Sequence, residues 1–154
     1  MNVAGVALDP NTNMPIVILR EDGGKKILPI WVGIFEAQSI LFALEKVKLP
    51  RPFTHDLLKS VIENLGAKVE RIVINAIKDD TYFARINLII NGSKVEIDSR
   101  PSDAIALALR TSSPIYVHDP VINVATMPPN PIDDEEVKRF KERLKDFKLE
   151  DLGQ

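Results

Sequence analysis

The chain opens on three short β-prone runs, Val3 to Leu8, Pro15 to Arg20 and Lys25 to Trp31. They are separated by the turn-rich stretches DPNTN and EDGG and predict an antiparallel meander. After Gly33 the period changes. Ile34, Ala37, Leu41, Leu44 and Val47 recur at helical spacing, with Glu36, Gln38, Glu45 and Lys46 around the rest of the turn, so an amphipathic helix is expected against a core. The segment Leu49-Pro50-Arg51-Pro52 interrupts it, because proline lacks the N–H and disfavours helical geometry in the residue before it. Thr54 can cap a second helix, His55 to Leu65, ended by Gly66. A second meander follows over Lys68 to Lys78, Thr81 to Ile90 and Lys94 to Asp98, joined at Asp79-Asp80 and by the hairpin pair Asn91-Gly92.

The stretch from Pro101 to Thr111 predicts a third helix of a different kind. Ala104 to Leu109 are apolar in succession and cover the helix on every side, as expected of one buried among strands or subunits. A short strand, Ile115 to His118, comes next, and Trp31 in LPIWVG reads as core or interface packing. Met127 to Pro131 is proline-rich and predicts an extended boundary, dividing a domain over 1–126 from a terminal segment over 127–154. In that segment Val137, Phe140, Leu144 and Phe147 form a narrow apolar stripe. Acidic residues crowd its first turn and Glu135 pairs with Arg139, a charged helix that packs on its own body or clasps a partner.

Composition narrows the chemistry. The 154 residues suit one domain, and 45% hydrophobic with 27% charged residues is the balance of a folded chain. A formal charge of -2 supplies no overall field for nucleic acid or anionic membranes, so any phosphate must be bound locally. The absence of cysteine removes disulfides, thiolate metal sites and cysteine nucleophiles together. No stretch is apolar enough to span a bilayer and no basic leader opens the chain, so cytoplasmic residence is the expectation.

Charge gathers at the three helix starts: Glu36 on the first, Arg51, His55 and Asp56 around the second, and Asp98, Arg100, Ser102 and Asp103 around the third. These residues have two uses. As structure, acids at helix starts complement the dipole and unpaired N–H groups, and arginines pair with them. As chemistry, convergence of the starts would give a carboxylate-rich site with a histidine and two arginines. Magnesium or manganese prefers oxygen ligands and keeps several waters, so Asp98 and Asp103 could hold one, with His55, Asp56, Glu36 and Arg100 as catalytic groups and Arg51 and Ser102 toward substrate. His55 and Asp56, as neighbours on a helix, do not face each other and form no dyad. The motifs of nucleotide-binding loops, zinc proteases and serine hydrolases are all missing.

In this order, LPIWVGIFEAQSI, PRPFTHDLL, IDSRPSDAIALALR and SSPIYV resemble the bifunctional nuclease domain family over roughly the first four-fifths of the chain. The resemblance implies an α+β fold with a strongly bent, half-barrel-like sheet, antiparallel or mixed, and the apolar run of the third helix places that helix buried at its centre. It also implies self-association into homodimers and a nuclease acting on RNA, DNA or both. The competing expectation is a non-catalytic dimeric binding or regulatory module whose charged helix starts are structural.

Overall fold

The computed structural model describes residues 1–23, 26–124 and 138. Three antiparallel strands, β1 (Asn2–Leu8), β2 (Pro15–Arg20) and β3 (Ile27–Trp31), form one sheet in that order, with Val17 opposite Ile30 and Leu19 opposite Leu28. Helices α1 (Ile34–Leu44) and α2 (Thr54–Asn64) follow. The long strands β4 (Ala67–Lys78) and β5 (Thr81–Ile90) and the shorter β6 (Ser93–Ser99) then lead to α3 (Pro101–Thr111), β7 (Ile115–Val117) and α4 (Asp119–Val124). The second sheet runs β6-β5-β4-β7, with β7 parallel to β4 because α3 carries the chain back across the sheet. The fold is α+β as expected, its strands lie in two sheets, and among the described residues neither closes into a barrel.

The pairing of β4 with β5 is interrupted twice. β4 shifts register against β5 between Val69 and Arg71 and again between Ile74 and Ala76, and each extra residue kinks and twists the strand. The hairpin turns follow their residue types. Asp79 and Asp80 have φ of 50° and 61°, and Asn91 and Gly92 have 50° and 78°, the left-handed pairs that tight hairpins require.

Helix α3 is the centre of the molecule. Ala104 to Leu107 are fully buried, and they share one apolar cluster with Leu19 and Leu28 of the first sheet, Ile72 and Ile86 of the second, and Ile40 and Leu41 of α1. Its all-round apolar sequence is therefore a direct consequence of having a neighbour on every side. Three other expectations change. Ile34 and Val47 lie at the surface, whereas Ala37 and Leu41 are buried as expected and are joined by Ile40 and Phe42. Trp31 is exposed, and its indole N–H donates to Asp9 Oδ2 at 2.9 Å, which closes the β1–β2 turn from outside the core. The segment 119–124, for which the sequence reading offered no element, is helix α4. The proline-rich boundary and the apolar stripe from Val137 to Phe147 lie outside the described residues.

Candidate active site

The starts of α1, α2 and α3 meet around one cavity of about 370 Å³, lined by Phe35, Glu36, Gln38, Ser39, Phe53, Thr54, His55, Arg100 and Asp103. On α1, Glu36 and Ser39 are three residues apart and so share a face. On α2 the apolar side carries His55 and Ile62, which turns the imidazole inward to 8% exposure. On α3, Asp103 and Arg110 lie two turns apart and both look toward α1 and α2.

His55 is held at both ring nitrogens. Its Nε2 lies 2.8 Å from Asp103 Oδ1, and its Nδ1 lies 2.6 Å from Ser39 Oγ. With Asp103 ionised, the proton belongs on Nε2 as the donor, which leaves Nδ1 to accept the hydroxyl proton of Ser39. Burial pushes the Asp103 carboxyl up, but hydrogen bonds from Arg100 and His55 outweigh it and hold the group below the usual carboxylate range. Arg100 precedes α3. Its Nε donates to Asp103 Oδ2 at 2.8 Å and its Nη1 to Glu36 Oε1 at 3.2 Å, and these two carboxylates, Asp103 foremost, raise its affinity for its proton. Nη2 has no protein acceptor among the described residues, and the side chain is 65% exposed. Arg100 is thus fixed by two bonds and keeps a donor without a protein acceptor among the described residues.

A second pair lies behind the first. Arg110 Nε donates to Asp56 Oδ1 at 2.8 Å, Nη1 to the Ala106 carbonyl at 2.9 Å and Nη2 to the Ser39 carbonyl at 3.1 Å. Asp56 also accepts from the Phe53 N–H at 3.0 Å, so it caps α2 in the place expected of Thr54, which is instead the first helical residue. Burial raises the Asp56 carboxyl, but Arg110 and the Phe53 N–H more than offset that and hold it low. His55 and Asp56 turn to different partners, in keeping with their adjacency on a helix. One binds α1 and α3 at the cavity; the other binds α3 behind it.

The remaining candidates separate from this group. Asp98 is exposed on β6, opposite Arg85 of β5, and is bound to neither Asp103 nor His55. Arg51 is exposed and does not line the cavity, and Ser102 is buried in the first turn of α3 away from it. No side chain caps α3, whose first residue is Pro101. Of the two aspartates expected to hold a metal, Asp103 lines the cavity and Asp98 does not; both Asp103 oxygens accept hydrogen bonds, and among the described residues no group of three or more His, Asp or Glu side chains gathers so as to enclose a metal ion. Sequence reasoning missed Ser39 and Arg110. Ser39 gave no signal beyond its three-residue spacing from Glu36, whereas Arg110 was visible as the charge ending an apolar run two turns beyond Asp103.

Residues 17–130, which include every cavity-lining side chain, match the family model described as "Bifunctional nuclease domain". An uncharacterized protein of Mycobacterium tuberculosis is 34% identical over 161 residues, covering 99% of this chain and 96% of its own length. Bifunctional nuclease 1 of Oryza sativa subsp. japonica is 35% identical and Bifunctional nuclease 2 of Arabidopsis thaliana 33% identical, each over 106 residues. Those alignments take in 67% of this chain but only 32% of each plant protein. The match runs through all three helices that build the cavity, and the chain belongs to the bifunctional nuclease domain family.

Proposed function

We propose that this chain is a nuclease that hydrolyses phosphodiester bonds of RNA, DNA or both in the cavity between α1, α2 and α3. The observation that carries the reading is the convergence, in a member of this family, of an inward histidine bound at both nitrogens with an arginine that keeps a free donor. Arg100 Nη2 is placed to bind a phosphoryl oxygen, and the charge that develops there in the transition state strengthens that bond. His55 carries the proton from the attacking oxygen to the departing one. Phe35 stands at the cavity with 76% of its surface exposed, a face on which a nucleobase can stack.

Charge balance bears on the metal. Glu36 and Asp103 oppose Arg100 alone, so with His55 neutral the cavity has an excess of negative charge, and a phosphodiester adds to it. Either a protonated His55 or a divalent cation such as magnesium or manganese, brought in with the substrate, restores the balance. The competing reading, a non-catalytic dimeric binding or regulatory module, draws on Asp56 and Arg110, which join helices, and on the apolar side chains Leu57, Val61 and Leu65, exposed on α2 and beyond its end.

The test is cleavage of labelled single-stranded and duplex RNA and DNA by wild type and His55→Gln, each with magnesium, manganese or a chelator. Cleavage by wild type that is lost in a folded His55→Gln supports the nuclease. Loss with chelator as well makes the metal part of it. An inert wild type in every condition would refute the nuclease and favour the binding module.

A further inference from the structure

Both nitrogens of His55 are occupied, and this decides what the ring can act on. A water can reach Nδ1 only by displacing Ser39, and Nε2 only by displacing Asp103. Among the described residues, the one hydroxyl already in place to lose a proton to the imidazole is that of Ser39, at 2.6 Å, on the wall of the cavity. Its position is unusual for a helical serine. Such a hydroxyl ordinarily bonds the carbonyl one turn back along its own helix, yet Ser39 is bound to the histidine of another helix, and its hydroxyl has no other hydrogen bond among the described residues. A serine bound to a histidine that is bound in turn to a carboxylate is the arrangement that activates a weak nucleophile, recognised by geometry and not by sequence position. No motif spacing in this chain announces it.

We infer that Ser39 is the nucleophile and that strand cleavage passes through a covalent seryl phosphodiester. The inference rests on the nuclease reading above and names the atom that attacks. Ser39 Oγ forms a bond to phosphorus as its proton passes to His55 Nδ1. The bond from phosphorus to the leaving strand oxygen breaks, and that oxygen takes the proton from His55. Water then attacks the same phosphorus, gives a proton to Nδ1, and the Oγ–phosphorus bond breaks with return of a proton to Ser39. One water is consumed and one phosphodiester is hydrolysed, with no other co-reactant.

The test is the stereochemical course at phosphorus, with an oligonucleotide bearing a single phosphorothioate diastereomer cleaved in heavy-oxygen water. Two successive displacements retain configuration, and one direct attack by water inverts it. Retention is expected for wild type, together with a fall in cleavage of roughly a hundredfold or more in Ser39→Ala whose melting curve is unchanged. Inversion would overturn the inference and leave the nuclease reading standing, with His55 acting on water. Retention with full activity in Ser39→Ala would also overturn it, by requiring a different nucleophile. Absence of cleavage by wild type on unmodified RNA and DNA would overturn both readings.

Discussion

Two arginines stand within one helix length of each other and should answer mutation in opposite ways. Arg110 is 7% exposed at its side chain and joins three segments through Asp56, the Ala106 carbonyl and the Ser39 carbonyl. Arg110→Met keeps much of the packing volume but removes all three bonds. A hydrogen bond between charged groups contributes about 1.5–3 kcal/mol and a neutral one about 0.5–1.5. Asp56 remains 36% exposed at its side chain, so water can partly rehydrate it and the lower end applies. The expected loss is about 3 kcal/mol, or a melting temperature lower by roughly 9 °C for a chain of this size. In a double-mutant cycle with Asp56→Asn, read by urea unfolding, the pair should couple by about 1–2 kcal/mol, because each partner loses its main reason for a fixed position once the other is gone. Arg100→Ala, at 65% exposure, should cost no more than about 1 kcal/mol and affect cleavage instead. A loss under about 1 kcal/mol in Arg110→Met, or strict additivity with Asp56→Asn, would refute the assignment of Arg110 as a bond that joins α3 to α1 and α2.

Other consequences are equally direct. Asp56 and Asp103 both have carboxyls held below their ordinary value of 3.8, so they bind protons more weakly folded than unfolded. Their contribution to stability is complete above that value and disappears as pH falls through the folded one, so urea midpoints should be flat above it and drop below it, with a smaller drop in Asp56→Asn. An equal drop in that variant would remove Asp56 from the explanation. A methyl group built on Gly33 would overlap Glu36 Oε2, the far end of a flexible side chain. Gly33→Ala should therefore keep its fold, move Glu36 away from Arg100 and change KM more than kcat; an unchanged KM would count against a role for Glu36 in holding Arg100. Asp98→Asn should alter neither cleavage by more than about threefold nor stability by more than about 0.5 kcal/mol, since an exposed side chain with no bonded partner among the described residues is rarely critical. A folded but inactive Asp98→Asn would restore that residue to the site.

What the sequence disclosed follows from how local each feature is. The bounds of α3, Pro101 to Thr111, were readable because proline and charge begin it and an apolar run covers every face. The hairpins at Asp79-Asp80 and Asn91-Gly92 were readable because few residue types tolerate left-handed backbone. Charge at three helix starts marked Glu36, His55, Arg100 and Asp103 as candidates, but that the starts converge is a tertiary fact the sequence does not carry. The parts that stayed hidden depend on direction in space. Asp98 and Asp103 are close in sequence, but a strand ends and a helix begins between them, so one carboxylate lies on the outer sheet and the other enters the cavity. Ser39 is one hydroxyl on a mostly apolar helix, and only the inward turn of His55 gives it meaning. The separation into two sheets likewise depends on how the meanders pack.

The claim that the cavity is the seat of phosphodiester hydrolysis is tested most directly by steady-state kinetics on one labelled oligonucleotide with wild type, His55→Ala and Arg100→Ala, each checked by its melting curve. The account predicts that His55→Ala lowers kcat by roughly 10²–10⁴-fold with little change in KM. It also predicts that Arg100→Ala lowers kcat/KM with its fold intact. Undiminished cleavage by a folded His55→Ala would contradict it and place the chemistry outside this cavity.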